Sequence, residues 1–468
     1  MHDIATAYTV PRKLLFTEKL GYGMGDTASN FIWGTILSFL LFYYTDIFGI
    51  PAAAVGTLFL FARVSDGFVD LFVGAVADRT QTRWGKFRPY LLWFCVPMAA
   101  VFIATFTTPN FSVDGKIIYA WITYNLLMII YTAINIPYGA LSGVMTDDPL
   151  DRTSLNSFRM AGAQVGSLAV NALTLPLIQA FGHGDKARGY QLTVMLFSAI
   201  AVVLFLATFF ATRERILPPR EQKSNLRHEL ALLFSNKPWI LMFMAGAATV
   251  FAIIRGGATL YYCKYFLGIE GVKIYFLNLI PMDEISYFLV LGSIGFIAGT
   301  LTVRQLVKVF GKKNLYIISL VISGILCAAF FYIPPDRINA ILLLQLISGY
   351  VGGVNAPLYF AMIGDTADYA EWKFNVRTTG IIFSATSCAQ KIGLGIGGAM
   401  SGYLLKHYGY VAGAVQSAGA NHGILLMFSW IPAIGYVLVA AAFFLYPLDE
   451  KFCHTMREDL ANRRIHEN

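Results

Sequence analysis

Residues 62–89 read ARVSDGFVDLFVGAVADRTQTRWGKFRP. The apolar run leading into them starts near Pro51 and is long enough to cross a bilayer, yet Arg63, Asp66 and Asp70 fall within it. Spacings of three and four place all three on one face of a helix. Leu58, Phe61, Val69, Phe72 and Val76 mark the opposite, lipid-compatible face. A charge near the bilayer centre costs roughly 2.5–3.5 kcal/mol on insertion scales. The charged face must therefore look into a polar cavity or onto other helices. The run ends in a basic loop, the mark of a cytoplasmic end. An Arg63–Asp66 pair that only fixes packing leaves the second acid, Asp70, unexplained. This segment predicts a membrane helix with an ion-binding face.

Composition agrees. Of 468 residues, 57% are hydrophobic and only 13% charged, against about 25% charged in soluble domains. The chain reads as a polytopic membrane protein with the lipid bilayer as its surroundings. The formal charge of +8 needs no nucleic acid, because loop asymmetry accounts for it. Cys95, Cys263, Cys327, Cys388 and Cys453 form no CxxC or Cys/His cluster, so neither a disulfide nor a metal site is expected. No nucleotide-binding loop or HExxH motif is present, and no cofactor or enzymatic activity is expected. The polar, basic N-terminus does not read as a cleavable signal peptide.

After a short amphipathic helix at 11–20, spans are predicted at 26–48, 52–77, 89–108, 117–141, 160–181, 190–212, 239–266, 284–304, 315–334, 338–363, 379–405 and 422–446. At 1.5 Å per residue, about 20 residues cross ~30 Å of hydrocarbon. The loops on one side collect 25 Lys and Arg and those on the other 7; the intramembrane Arg63, Arg255 and Lys391 complete the total of 35. Both termini are thereby expected in the cytoplasm. The longest polar stretch, 213–237, separates two sets of six spans. DRTQTRWGKFRP after the second span is echoed by VRQLVKVFGKKN after the eighth. DDPLDRTSLNSFR after the fourth is echoed by GDTADYAEWKFNVR after the tenth. The predicted fold class is all-α, with twelve transmembrane helices in two pseudo-symmetric six-helix halves, 1–212 and 238–468, joined by a cytoplasmic linker at 213–237. That is the major facilitator architecture, which places a substrate site between the halves.

The motifs GYGMGD (21–26), YYTD (43–46), VGTLFLFARVSD (55–66), RWGKFRP (83–89), NIPYGAL (135–141) and DTADYAEW (365–372) are spread over nearly the whole chain. In this order the chain resembles the glycoside–pentoside–hexuronide:cation symporters, the group that contains melibiose permease. The resemblance implies that Asp66 and Asp70 are cation-site carboxylates and that Thr132 lies near the cation and sugar sites. It also implies that Lys391 is the lysine of helix eleven and Arg159 the arginine opening helix five. Departures are equally clear. Asn30 and Asn135 stand where melibiose permease has aspartates, Val69 replaces an asparagine beside the second carboxylate, and Gly139 replaces a sugar-stacking tryptophan. The galactoside site is thus not reproduced, and two candidate oxygen ligands of the sodium site are altered.

Asp66, Asp70 and Thr132 are accordingly the expected coupling site, with H+ favoured over Na+ as the coupling ion. Arg63 would hold Asp66 ionised and leave Asp70, unpaired, as the proton carrier. Asn30, Arg63, Tyr131, Asn135, Arg159, Arg255 and Lys391 are the expected substrate-binding residues. Trp33, Tyr138, Tyr359 and Phe383 offer apolar faces, and Asn355 and Thr386 polar rims, that a sugar could use. In this reading Arg63, Arg159, Arg255 and Lys391 face only the acids Asp66 and Asp70, so an acidic glycoside stands beside neutral ones as a substrate. Asp78, Arg83 and Arg88 of one half, with Asp365, Asp368 and Glu371 of the other, are expected to form inner-gate ion pairs. The chain reads as a secondary active transporter that imports a sugar or glycoside as a monomer in the cell inner membrane. An exporter or exchanger of a small organic anion is the alternative on the same fold. A transporter-like sensor would need more than the roughly 20-residue tail after the last span.

Overall fold

Backbone N–H and C=O groups that leave water for hydrocarbon must bond within their own segment, which favours helices. The chain follows this rule almost throughout. The structure is a computed structural model that describes residues 14–146, 148–215, 232–268, 273–276, 280–374 and 379–467. Its first six long helices are α1 (Phe16–Thr35), α2 (Ala52–Arg79), α3 (Arg88–Thr105), α4 (Val113–Met145), α5 (Pro149–Gly182) and α6 (Lys186–Ala211). The second six are α7 (Lys237–Phe266, broken at Ala248), α8 (Glu284–Phe310), α9 (Lys312–Tyr332), α10 (Ile338–Phe374), α11 (Thr379–His407) and α12 (Ala418–Phe443, broken at Ser429). By length and composition ten of them could cross a membrane. α1, with Glu18, Lys19 and Asp26, and α11, with Lys391 amid glycines and serines, are long enough but more polar.

Several boundaries differ from the sequence reading. The amphipathic helix expected at 11–20 is not a separate element over its described part. α1 runs unbroken from Phe16 and is prolonged by π-helical turns at Ile36–Leu40 and Tyr43–Ile47; residues 11–13 lie outside the described residues, as does 216–231 of the expected linker. α5 begins at Pro149, so Arg159 does not open it but sits well inside. α10 continues to Phe374, which puts DTADYAEW on a helix. There Trp372 Nε1 donates to Asp459 (3.0 Å) of a polar C-terminal helix, α13 (Glu450–Glu467). A short antiparallel hairpin, β1 (Lys273–Phe276) with β2 (Ile280–Asp283), precedes α8.

α1–α6 pack on one another, as do α7–α12, and the two sets meet mainly through α2 with α11 and α5 with α8. Close approach within the second set uses small residues. Gly295 and Gly299 of α8 lie on the backbone of α10 at Leu346 and Tyr350, and Gly349 and Gly353 of α10 on that of α8 at Gly292 and Phe296, so any Cβ would overlap the opposing backbone. Leu58, read as lipid-facing, is instead fully buried, whereas Phe61, Phe72 and Val76 are exposed. A large apolar core joins the two sets at one end, where Tyr261, Tyr262, Phe330 and Phe428 belong to the same cluster as Phe39, Tyr43 and Phe48. At the other end the second set keeps a core of its own around Trp239, Tyr316, Tyr359 and Phe443.

Candidate functional site

Helical periodicity puts Arg63, Asp66 and Asp70 on one face of α2, and that face turns toward α4 and α11. Asp66, only 4% exposed, accepts from Thr132 Oγ1 on α4 at 3.0 Å and lies 3.4 Å from both Arg63 Nη1 and Lys391 Nζ. Lys391, on α11, also pairs directly with Asp70. The expectation that Asp70 is unpaired is therefore corrected. Two carboxylates, two cations and one hydroxyl form a single cluster, and its lysine comes from the opposite half.

Arg63 also lies 4.6 Å from the Trp33 ring centroid, and Trp33 stacks on Tyr131 at 5.4 Å. An aromatic pair with a cation over one ring is a setting suited to a sugar, whose C–H faces pack on aromatic carbon and whose hydroxyls meet the charge. Asn30 and Asn135 are less available than their sequence setting suggested. Asn30 accepts from Ser167 Oγ (3.1 Å) and donates to Asp26 O (2.8 Å). Asn135 accepts from Ser29 Oγ (2.9 Å) and donates to Tyr131 O (3.0 Å). Each amide retains spare hydrogen-bonding capacity.

Arg159 pairs with Asp26 at 3.1 Å and reaches over the Tyr138 ring. The sequence reading missed Asp26, although it lies in the quoted GYGMGD motif and begins the first predicted span. Its presence corrects the cavity charge count: a third acid faces the four cations. Asn171 was also missed; it accepts from Ser38 Oγ (3.3 Å) and donates across the halves to Ser293 Oγ (3.0 Å). Tyr138 and Tyr359 are buried and bond to backbone carbonyls. Asn355 is engaged by Ser319 and Ser323, and Thr386 accepts from Trp239 Nε1. These four hold helices together rather than offering a free sugar surface.

Two adjoining cavities lie between the halves. One, of about 270 Å³, is lined by Arg63, Phe59, Tyr124 and Ser401; the other, of about 470 Å³, by Arg255, Gln164, Ser293 and Gln345. Asn171, Gly256, Thr259 and Leu289 line both. Arg255 thus points inward between helices. The cavities are sealed at the end carrying the α1–α2 connection. There Asp46 of α1 accepts from Lys264 (2.9 Å), Tyr265 and Tyr410, and the Thr45 and Tyr261 hydroxyls share a bond of 2.8 Å. At the opposite end Gly67 and Gly74 of α2, Gly139 and Gly143 of α4 and Gly364 of α10 each face open space.

Of the expected gate residues, Arg83, Arg88 and Asp365 have described partners within their own half. Arg88 donates to Phe209 O (2.6 Å) and Trp84 O (3.2 Å), and Arg83 stacks on Trp84, all within the first set of helices. Asp365 pairs with Lys312 within the second. Asp368 and Glu371 lie on the same end of α10; the side chain of Asp78 is outside the described residues.

Residues 21–450 match the family described as MFS/sugar transport protein, MFS being the major facilitator superfamily. The chain belongs to this family. It is 36% identical to the inner membrane symporter YicJ of Escherichia coli (strain K12), over 95% of this chain and 94% of that one. It is 33% identical to the isoprimeverose transporter of Lactiplantibacillus pentosus, over 97% and 93%. In three dimensions it resembles the crystal structure of a D-xylose–proton symporter, with TM-score 0.64 and 16% identity over 92% of this chain and 96% of that one, a likeness of fold. The family resemblance read from the motifs stands, and the matched proteins are transporters rather than enzymes. As a family member, the chain is a membrane transporter whose inter-half cavity is the expected route of its substrate.

Proposed function

We propose that the protein is a cation-coupled symporter that carries a sugar or glycoside across the cell inner membrane by alternating access. The observation that carries this reading is the cluster of Asp66, Asp70 and Thr132 with Lys391. The first half supplies the carboxylates and the second half the ammonium, so the strength of this contact depends on how the halves sit. A coupling cation that neutralises the carboxylates competes with Lys391 and loosens the tie between the halves. Binding of the ion is thereby linked to rocking. H+ suits the site better than Na+, because Thr132 is the one neutral oxygen contacting Asp66 among the described residues, and a hard cation prefers several oxygens.

The Trp33–Tyr131 pair, with Arg63 over the Trp33 ring and Asn30 and Asn135 nearby, holds the sugar in this reading. Arg159 is held in place by Asp26, and Arg255 and Lys391 complete the wall. All twelve long helices cross the bilayer with both termini in the cytoplasm, as the basic loops indicate, and one chain suffices for the cycle. The sealed end then faces outward and the open end inward. The similarity to an isoprimeverose transporter supports a glycoside as substrate. Uptake of labelled isoprimeverose into proteoliposomes tests the proposal: an inward proton gradient should drive accumulation above the external concentration, and a sodium gradient should not. Counterflow without accumulation would identify an exchanger, and efflux alone an exporter. Binding without any flux would leave only a sensor.

A further inference from the structure

Arg63, Arg159, Lys264 and Lys391 each lie against a carboxylate. Arg255, among the described residues, does not. Its Nη1 donates to Cys327 Sγ (3.3 Å) and its Nη2 to Gln345 Oε1 (3.2 Å), while Phe428 and Phe330 lie 4.8 and 5.1 Å from the guanidinium. Those partners orient the charge without cancelling it. Two of the five N–H donors of an arginine are thus engaged, which leaves three. One turn beyond Gln345 on α10, the Ser348 hydroxyl is buried without a hydrogen-bond partner, on the wall of the same cavity. An uncompensated cation and an orphaned hydroxyl, both lining one polar space inside a membrane protein, are costly to keep unless something completes them.

We propose that Arg255, with Gln345 and Ser348, forms an oxyanion subsite on the second-half side of the cavity, for a planar carboxylate or a sulfonate. The guanidinium fork matches two oxygens of such a group, and the Ser348 hydroxyl is a further donor. The aromatic rings of Phe330 and Phe428 shield the pair from water, which strengthens it. The anion is either carried by the glycoside or bound as a free small anion. The first case rests on the symport reading above; the second does not. Because the wall formed by Asn171, Gly256, Thr259 and Leu289 is shared with the cavity at Arg63, a glycosyl ring near Trp33 and an acidic group at Arg255 are two parts of one elongated site.

Thermal unfolding of the purified protein at constant ionic strength tests this with three probes: methyl β-glucuronide, methyl β-glucoside and sodium sulfate. The glucuronide should protect at about a ten-fold lower concentration than the glucoside, since one charge-assisted hydrogen-bonded pair is worth about that factor. Arg255→Gln should remove the difference between the two glycosides, Arg255→Lys should keep part of it, and Ser348→Ala should reduce it. Arg255-dependent protection by sulfate alone would assign the free anion as the ligand. It would support the subsite even if neither glycoside binds, an outcome that would count against the symport reading instead. Equal protection by both glycosides, no effect of sulfate and no change in Arg255→Lys or Ser348→Ala would overturn the subsite while leaving glycoside binding intact. Should Arg255→Gln fail to fold, the lysine and alanine variants carry the comparison.

Discussion

Lys391, on α11, shares its ammonium between Asp66 and Asp70, which lie one turn apart on α2. The acids belong to one half and the lysine to the other, so this is at once an ion pair and a joint. Asp66 has Arg63 and Thr132 as further partners, whereas Asp70 depends on Lys391.

Removing Lys391 leaves two carboxylates facing one arginine. Lys391→Gln should lower the thermal stability of the purified protein, and Asp70→Asn added to it should recover part of the loss. Lys391 is 35% and Asp70 26% exposed, so solvent weakens the pair and the coupling should be on the order of 1 kcal/mol. Strict additivity of the two single effects would contradict the shared-charge arrangement. In transport, Asp70→Asn should abolish uphill accumulation but keep exchange, because an amide mimics a permanently protonated acid. Full accumulation by that variant would exclude Asp70 from coupling.

Asp26 and Arg159 form a second ion pair, within the first half, that loses its balance when one member is replaced. Breaking a fully buried pair costs roughly 3–5 kcal/mol; Arg159 is 32% exposed, so Asp26→Asn should cost about half of that. Arg159→Gln in the same chain should restore part of the stability. A destabilisation that the second substitution deepens would show that Asp26 matters for something other than neutralising Arg159.

The sealed end is held by Asp46, which draws Lys264, Tyr265 and Tyr410 of the other half onto one carboxylate. Asp46→Ala should shift the population away from the conformation described here. Cys388 is exposed, while the other four cysteines are buried, so the natural chain carries its own reporter. Labelling of Cys388 by a membrane-impermeant maleimide from the side opposite Asp46 should slow several-fold in Asp46→Ala. An unchanged labelling rate would remove the latch role.

Tyr410, in the α11–α12 connection, adds a pH dependence. Burial, reinforced by Tyr261 and Asp46, holds its hydroxyl well above the ordinary tyrosine value. The group binds its proton more tightly folded than unfolded, so its contribution is fully present below about pH 10. It is lost progressively as the pH rises above that point, where the unfolded chain ionises first. Stability measured between pH 8 and pH 11 should fall less steeply for Tyr410→Phe than for the natural protein. Parallel curves would show that Tyr410 does not contribute to the alkaline loss.

The loop before α3 makes a separate prediction. Glu214 accepts from the backbone N–H groups of Lys86, Phe87 and Arg88 at 2.7–2.9 Å, capping that helix. Gly85 has φ +111°, and a Cβ there would come within 2.5 Å of the Glu214 carboxylate. Gly85→Ala should therefore cost about 1–3 kcal/mol through backbone strain and a displaced cap. Glu214→Gln should cost less, since an amide oxygen still accepts. Equal melting temperatures for Gly85→Ala and the natural protein would contradict this geometry.

Much of the molecule was legible from residue order. Membrane burial followed from composition, the helices from apolar runs, and the charged face of α2 from spacings of three and four. Arg63 and Asp66 are three residues apart and meet as that spacing requires. Periodicity reports which face of a helix a side chain occupies, because that is set by the local backbone. It does not report what the face meets. Lys391 lies 321 residues from Asp70, and Arg159 lies 133 from Asp26; only packing of the helices made them neighbours. The same packing supplied Ser29 and Ser167 to the amides of Asn135 and Asn30, and left Arg255 without a carboxylate among the described residues. The sequence alone determined the fold and the location of its charges; the tertiary structure decided which of those charges are neutralised, because pairing depends on distances between helices that no single helix encodes.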